Sequence, residues 1–541
     1  MSERLAIQAI QLSIEQCEQL FQRIESRIEP TDYELIVTVI ASVPKLLELL
    51  SQEKHLSKSF ERMLFGKSTE KIGNILPPEP GSDSQPQGSQ NPEDQKPKRR
   101  PGHGRNGLSD YPGAKVIDVV HPHIHAGDIC PACSESHVYD LKDFGKIIIL
   151  MAQPIFIATA YRLHKLRCGA CNQVFTAPPP PEAGNSKYDP SVGCQLALLH
   201  YGFGMPMTRI ETLQKLMGVP LPIGTQCEQI QKIVPDIEPV FHELEREAAQ
   251  SGLFHTDDTH NLILDVAKEI KTPTDAQHDS ERKRTGIFTT GILARSADHD
   301  IVLYYTGRQH AGENLSDLLA KRSKELSHPI LMCDALSRNL PKEFETVLAN
   351  CIAHGRRQFI DIVETFPKEC RRVLEDLSQI YHFDAQAREQ QLTAQARLDF
   401  HQVNSRPIMD DLHGWIQSQF DHKLVEPNSR LGKAFKYMLN HWQALTRFLT
   451  TPGAPLDNNL AEQVLKKAIL KRKNSLFYKT TYGAYVGDVF MSIIQTCQSC
   501  GANAFEYLKA LVANAQNVKE NPKVWMPWNY KSVLSPQCQS G

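Results

Sequence analysis

The 541-residue sequence predicts a multidomain α/β protein, and three observations lead to that class. The length exceeds what one hydrophobic core serves and implies three or four domains. A hydrophobic content of 41% with 23% charged residues is that of a globular chain, not a fibrous or disordered one. Between residues 251 and 367, runs with strand alternation are followed by strands separated by helices, an order that builds an open mixed sheet. The formal net charge of −2 excludes a chain that is polyanion-binding as a whole, so any such surface is a local cluster of cations.

The elements follow in order. Residues 1–76 form a helical N-terminal region, because Leu and Ile recur at helical spacing through "LAIQAIQLSIEQCEQLFQRI" and "ELIVTVIASVPKLLELLSQ". Either a packed hairpin or an oligomerising coil satisfies that pattern. Residues 77–112 change abruptly to Pro, Gly, Ser and Gln and read as a disordered linker. The linker ends basic, with Lys96, Lys98, Arg99, Arg100 and Arg105. It is a solvated spacer in one reading and a phosphate-tracking arm in the other.

Residues 113–180 carry two CxxC pairs, Cys130/Cys133 and Cys168/Cys171, flanking the β-branched stretch "KIIILMAQPIFIATAYRLHKLR". Four thiolates on two tight turns match tetrahedral Zn²⁺, so a zinc ribbon is expected. The thirteen cysteines, behind an N-terminus with no signal-peptide pattern, fit a reducing, cytoplasmic setting better than a disulfide framework. No apolar run approaches the ~18 residues of a membrane span.

Residues 185–250 return to helix. Capping boxes at Thr208–Glu211 and Thr225–Glu228 are expected to open "MTRIETLQKLMG" and "TQCEQIQKIV" around a turn at Gly218. This is the layout of a helix-turn-helix, or of an ordinary helical hairpin, since only Lys232 is basic on the second helix.

In 251–367, "LFHTDDTHNLILDV", "TGIFTTGILAR" and "DIVLYYTG" read as three strands in series. The helix "GENLSDLLAKRSKEL", the strand "PILMCD" and a helix over "PKEFETVLA" follow. That is the order of an RNase H-like core. A helical insertion over 368–450 separates it from its last part, 451–515, and 516–541 is a C-terminal tail. Asp257 lies in the first strand, Asp334 ends the fourth, and Glu462 opens the helix after the insertion. Converging at one sheet edge, these carboxylates would hold two Mg²⁺ (or Mn²⁺) ions about 4 Å apart. Each has a plainer reading: Asp257 with Asp258 as a loop pair, Asp334 as a helix cap, and Glu462 as the third helical residue behind an Asn459 N-cap, spaced to pair with Lys466. Asp298 and Asp300 are weaker competitors in a turn. Cys497 and Cys500, spaced CxxC on a helix, read as buried thiols.

The chain resembles the transposases of the IS66 type. The resemblance rests on "ERMLFGKSTEKI", the double CxxC, "HTDDTHNLIL", "CIAHGRRQFID", "NHWQALTRFL" and above all "LDNNLAEQVLKKAILKRKNSLF". It implies a DDE transposase of a bacterial mobile element, with Asp257, Asp334 and Glu462 as the triad of a divalent-metal-dependent cleavage and strand-transfer reaction. Lys466, Lys467, Arg472 and Lys473 would grip DNA phosphates. Asn458 and Asn459 would position helix or strand beside the DNA, and His354, Arg356 and Arg357 would add contacts. The implied partners are the terminal repeats, target DNA, further copies of the chain and small accessory proteins. The chain would be nucleoid-associated when bound. Asp258 and His260 stand where the family usually has Glu and Pro, and "DALSRN" replaces its Gly-Tyr after the second Asp. Those departures leave a second reading, a catalytically impaired or repurposed DNA-binding protein.

Overall fold

The computed structural model describes residues 116–141, 147, 155–168, 172–184, 186–271 and 286–534. The chain separates into two units, Met1–Pro77 and Pro78–Gly541, and all described residues belong to the second. The expected N-terminal helices, the linker through residue 112 and Cys171 lie outside the described residues.

A small antiparallel hairpin, β1 (Lys165–Arg167) and β2 (Val174–Thr176), flanks the second CxxC turn. Then come α1 (Pro190–Ala197), α2 (Met207–Leu216) and the 27-residue α3 (Ile223–Ala249). The expected capping boxes are not what starts α2 and α3. Pro206 and Pro222 occupy the N-cap positions, and Thr208 and Thr225 lie inside the helices. A proline with its fixed φ ends the extended segment and starts the helix two or three residues earlier than the Thr pattern suggests. Ile230, Ile233, Val234, Ile237, Val240, Phe241 and Leu244 bury the apolar stripe of α3 in the main core, as a helix packed on the sheet does.

The sheet has five strands, β3 (Leu253–His260), β4 (Phe288–Arg295), β5 (Asp300–Gly307), β6 (Ile330–Cys333) and β7 (Val347–Asn350), in the order β5-β4-β3-β6-β7. The first three run antiparallel in series, and β6 and β7 add parallel beside β3. Between them lie α4 (Leu264–Lys271) and α5 (Ala311–Leu319). The helix expected over "PKEFETVLA" does not form. Its second half is β7, whose Val347, Leu348 and Ala349 register against Ile330, Leu331 and Met332. A short apolar run satisfies either periodicity, and pairing with β6 decides it.

After β7 come α6 (Ile352–Ile360) and the inserted helices α7 (Pro367–Glu389), α8 (Ala394–Asn404), α9 (Arg406–Asp421) and α10 (Arg430–Asn440). The chain returns as α11 (Asn459–Ser475), α12 (Thr481–Ser499) and α13 (Ala504–Ala513). The outer edge of β5 is sealed by α12. Thr496 Oγ1, Ser492 Oγ and Asp488 Oδ2, spaced one helical turn apart, accept the N–H groups of Val302, Tyr304 and Thr306 at 3.0, 2.9 and 2.6 Å. An edge strand must satisfy alternate N–H groups, and here three helix side chains replace a neighbouring strand. The segment expected as a tail is packed too: Trp525, Met526 and Tyr530 are buried in the main core. No described helix is long and apolar enough to cross a membrane.

Candidate active site at the carboxyl edge of the sheet

Register places the acids. Asp257 pairs with Gly291 on β4, and Gly291 pairs with Tyr304 on β5. On the other side, the parallel ladder runs Leu253↔Ile330, Phe254↔Leu331, His255↔Met332. That ladder ends there, and Asp334 follows Cys333, the last residue of β6. Directly opposed residues share a sheet face, so Asp257, Gly291 and Tyr304 form one row across three strands.

Helix α11 lies over that row. A Cβ at Gly291 would come within 3.2 Å of Val464 Cγ1 and 3.6 Å of Leu465 Cδ1, so the missing side chain is what lets the helix approach. Tyr304 Oη donates to the Val464 carbonyl at 2.7 Å. Glu462 lies in the first turn of α11, two residues before Val464, and its charge is felt at Asp257.

The neighbouring acids act on Asp257 through their charges. Burial, followed by the negative charges of Asp334, Asp258 and Glu462, pushes the Asp257 carboxyl up to about 7, against the opposing Asp258 N–H that Oδ1 accepts at 2.8 Å. Asp300, in contrast, begins β5 and pairs with Arg295 at 3.0 Å, away from this edge.

Asn458 fixes the helix start. Its Nδ2 donates to the Thr256 carbonyl at 2.9 Å, its Oδ1 faces His255 Nδ1 at 3.1 Å, and its N–H meets Cys351 Sγ at 3.2 Å. Burial pushes His255 down to about 4, so the ring is neutral and its Nδ1–H donates to the amide oxygen. At 1% exposure Asn458 has nothing left to offer a ligand, and of the two roles expected for it, positioning is the one its contacts fill. It is also the residue before the first helical one, which makes Asn459 the first helical residue and Glu462 the fourth. The Asn459 capping box is therefore absent. Asn459 is exposed and donates from N and Nδ2 to Asp457, at 3.2 and 2.8 Å.

A second set of residues, not singled out by spacing, ties the two strand ends together. The Asp258 side chain, 3% exposed, takes His310 Nδ1 at 2.9 Å and Arg338 Nη2 at 3.6 Å. Next to Arg338, Asn339 Nδ2 donates to Asp334 Oδ1. The turn Ser337–Asn339 thus holds Asp258 with one residue and Asp334 with the next. It rests on Gly312 of α5, where a Cβ would lie 2.3 Å from the Leu340 carbonyl oxygen and 2.8 Å from that of Arg338.

The basic run on α11 divides. Lys466, Lys467 and Lys473 are exposed. Arg472 turns inward, its Nη1 donating to Thr259 Oγ1 at 2.9 Å and to the His260 carbonyl, which pins the far end of α11 to the end of β3. Lys471 is buried with its Nζ 3.6 Å from the centre of the Tyr478 ring, and burial pushes it down to about 7. His354, Arg356 and Arg357 lie on α6, directly after β7, and the His354 Nδ1 is buried without a hydrogen-bond partner.

In the cysteine region, two turns share one backbone pattern. Ser134 N–H bonds the Cys130 carbonyl at 2.8 Å, and Asn172 N–H bonds that of Cys168 at 3.0 Å. Ser134 and Asn172 both sit at positive φ, 57° and 59°. The N–H groups of Cys133 and then Ala132 hold the Cys130 thiol below its ordinary range. Among the described residues, Asp257, Asp334 and Glu462 included, no group of three or more His, Cys, Asp or Glu side chains is arranged as a metal site.

The sheet carries Asp257 beneath a helix that is acidic at its start and has exposed lysines beyond, a mixed α/β core with a cationic helix face. Residues 185–485 match the family described as "Transposase IS66 family", more than half of the chain, and the chain belongs to that family. Among curated relatives, "Uncharacterized protein y4jD" of Sinorhizobium fredii is 24% identical over 383 residues, covering 68% of this chain and 71% of the relative. "Uncharacterized protein y4hP" of the same organism is 23% identical over 390 residues, 68% and 67% of the two chains. Membership supports a transposase role with DNA as partner.

Proposed function

We propose that the chain is a DDE-type transposase, an RNase H-like polynucleotidyl transferase that cleaves and joins DNA strands at an insertion-sequence end with Asp257, Asp334 and Glu462. The observation that carries this reading is the Asp257 carboxyl on the face covered by the helix bearing Glu462, raised first by burial and then by the charges of Asp334, Asp258 and Glu462. Three carboxylates form an all-oxygen, anionic donor set that suits Mg²⁺ or Mn²⁺, and a cation would relieve their repulsion. Bound there, such ions supply an activated water or 3′-hydroxyl and stabilise the leaving oxygen. The chain's own residues set the geometry. Asn458 and Arg472 fasten the two ends of α11 to β3, and the turn at Arg338–Asn339 holds Asp258 and Asp334. Lys466, Lys467 and Lys473 remain to meet phosphates. The paired cysteine turns support a zinc ribbon completed by Cys171. Holding two element ends together calls for more than one copy of the chain.

The test is Asp257→Asn. It should abolish Mg²⁺-dependent cleavage of element ends while leaving DNA binding intact; undiminished cleavage would refute the assignment. The second reading, a DNA-binding protein without catalysis, is favoured by the Asn339 amide already engaging Asp334. Titration calorimetry with Mg²⁺ and Mn²⁺ separates the two, since a binding module takes up neither ion at this edge.

A further inference from the structure

Helix α11 does not end as helices usually do. Its last turn closes with the Leu476 N–H on the Arg472 carbonyl at 2.7 Å, and Leu476 then adopts φ 67°, ψ −44°. Phe477 N–H bonds the Ser475 carbonyl at 2.8 Å, which makes Leu476 the centre of a γ-turn of the rarer, positive-φ kind. Glycine is the residue that ends a helix at positive φ without strain; here a leucine takes the position. Its side chain is 65% exposed, and that of Phe477 beside it 42%.

The tip is held stiffly. Tyr478, the next residue, is buried, and its ring fills the space left by Gly487, where a Cβ would lie 2.4 Å from the Tyr478 hydroxyl. Its backbone pairs with the chain just past β3: Tyr478 N–H to the Leu262 carbonyl at 2.8 Å, and Leu264 N–H to the Tyr478 carbonyl at 2.9 Å. Arg472 adds its bonds to Thr259 and His260. The tip therefore stands off the carboxyl end of the strand that bears Asp257, which is itself about 10 Å from His260 along β3. Exposed Lys473 and Lys479 lie on either side of it in the chain.

We propose that Leu476 and Phe477 form an apolar wedge that receives an unstacked DNA base, Phe477 stacking on it while the neighbouring lysines hold the phosphates. This rests on the DNA-processing reading above and adds the form of DNA the site prefers. The flanking cations favour DNA over a second copy of the chain as occupant. An exposed aromatic between cations offers a base a π-face, and an exposed aliphatic beside it can enter a base step.

The experiment compares the full chain on two probes, a fully paired DNA duplex and the same duplex with a short unpaired bubble carrying 2-aminopurine. The wild type should favour the bubble by about tenfold and change the 2-aminopurine fluorescence. Phe477→Ala and Leu476→Gly should erase that preference and leave paired-duplex affinity unchanged. Glycine suits the positive φ, so Leu476→Gly removes the side chain without endangering the fold. Lys473→Ala should weaken both probes alike. Wild-type binding with no preference overturns the wedge and leaves the DNA-processing reading standing, whereas no binding of either probe overturns both. Equal loss on both probes in Phe477→Ala also overturns it. So does a lowered oligomeric state with the preference intact, which would make the tip a contact between copies.

Discussion

Replacing Asp257 with Asn should stabilise the protein, and do so more at pH 8 than at pH 5. The carboxyl stands at about 7 in the folded chain, raised from 3.8 chiefly by burial and then by Asp334, Asp258 and Glu462. A group whose folded pKa is raised keeps its proton longer in the folded state. Stability is then greatest in acid, falls as pH climbs from about 4 to about 7, and is level above that. Three pH units at about 1.4 kcal/mol each give a cost of about 4 kcal/mol at pH 8 and about 1.5 kcal/mol at pH 5. Partial access to solvent reduces both, to about 2 and about 1 kcal/mol. Asn has the same shape, keeps the oxygen that accepts the Asp258 N–H, and carries no charge. Urea unfolding followed by tryptophan fluorescence at the two pH values measures the gap between variant and wild type. A gap that does not widen from pH 5 to pH 8, or an Asn variant less stable at pH 8, would show that Asp257 is not held raised by burial and its acidic neighbours, and the site argument would fall with it.

Three further outcomes follow from the same geometry. Mg²⁺ added at pH 8 should raise the wild-type melting temperature, by about 2.7 kcal/mol of stabilisation at a hundred times its Kd, and should leave Asp257→Asn unmoved in a thermal melt. Gly312→Ala should cost about 1–3 kcal/mol, because its methyl group would strike the backbone of the turn that holds Asp258 and Asp334; urea unfolding and a cleavage assay should both register the loss. Asn458→Ala should cost about 2–3 kcal/mol by stranding the buried His255 Nδ1–H and Thr256 carbonyl, and equilibrium unfolding reads this directly.

Much of the sheet was legible because its chemistry is local. Alternation in "LFHTDDTH" and "GIFTTGILAR" marks β3 and β4, and Asp257 and Asp334 could be assigned to strand and strand end from sequence alone. What escaped depends on partners far away in the chain. Asn458 reads as a residue beside the DNA until His255, 203 residues earlier, claims its side chain. Lys471 and Arg472 look like further members of a solvent-facing run. Tyr478 and the end of β3 draw them inward and leave only part of the run facing water. β7 was read as helix because four residues carry no decisive period without β6 beside them. The Asp258–His310–Arg338 contacts had no spacing signal, as His310 lies 52 residues from its partner.

The distribution of polar contacts along α11 argues that the helix is placed, not merely packed. A helix held by apolar contact alone can slide by a fraction of a turn at small cost, because its buried stripe is broad. Here each end is fixed by directional bonds to the same strand, Asn458 to Thr256 and Arg472 to Thr259 and His260, with the Tyr304 hydroxyl on Val464 between them. Those contacts leave no freedom of register between Glu462 and Asp257. For ordinary core packing that precision is unnecessary, and it keeps Glu462 among the charges that, after burial, raise Asp257. On the transposase reading proposed above, a helix so fixed is what a cation-binding centre at that edge would require.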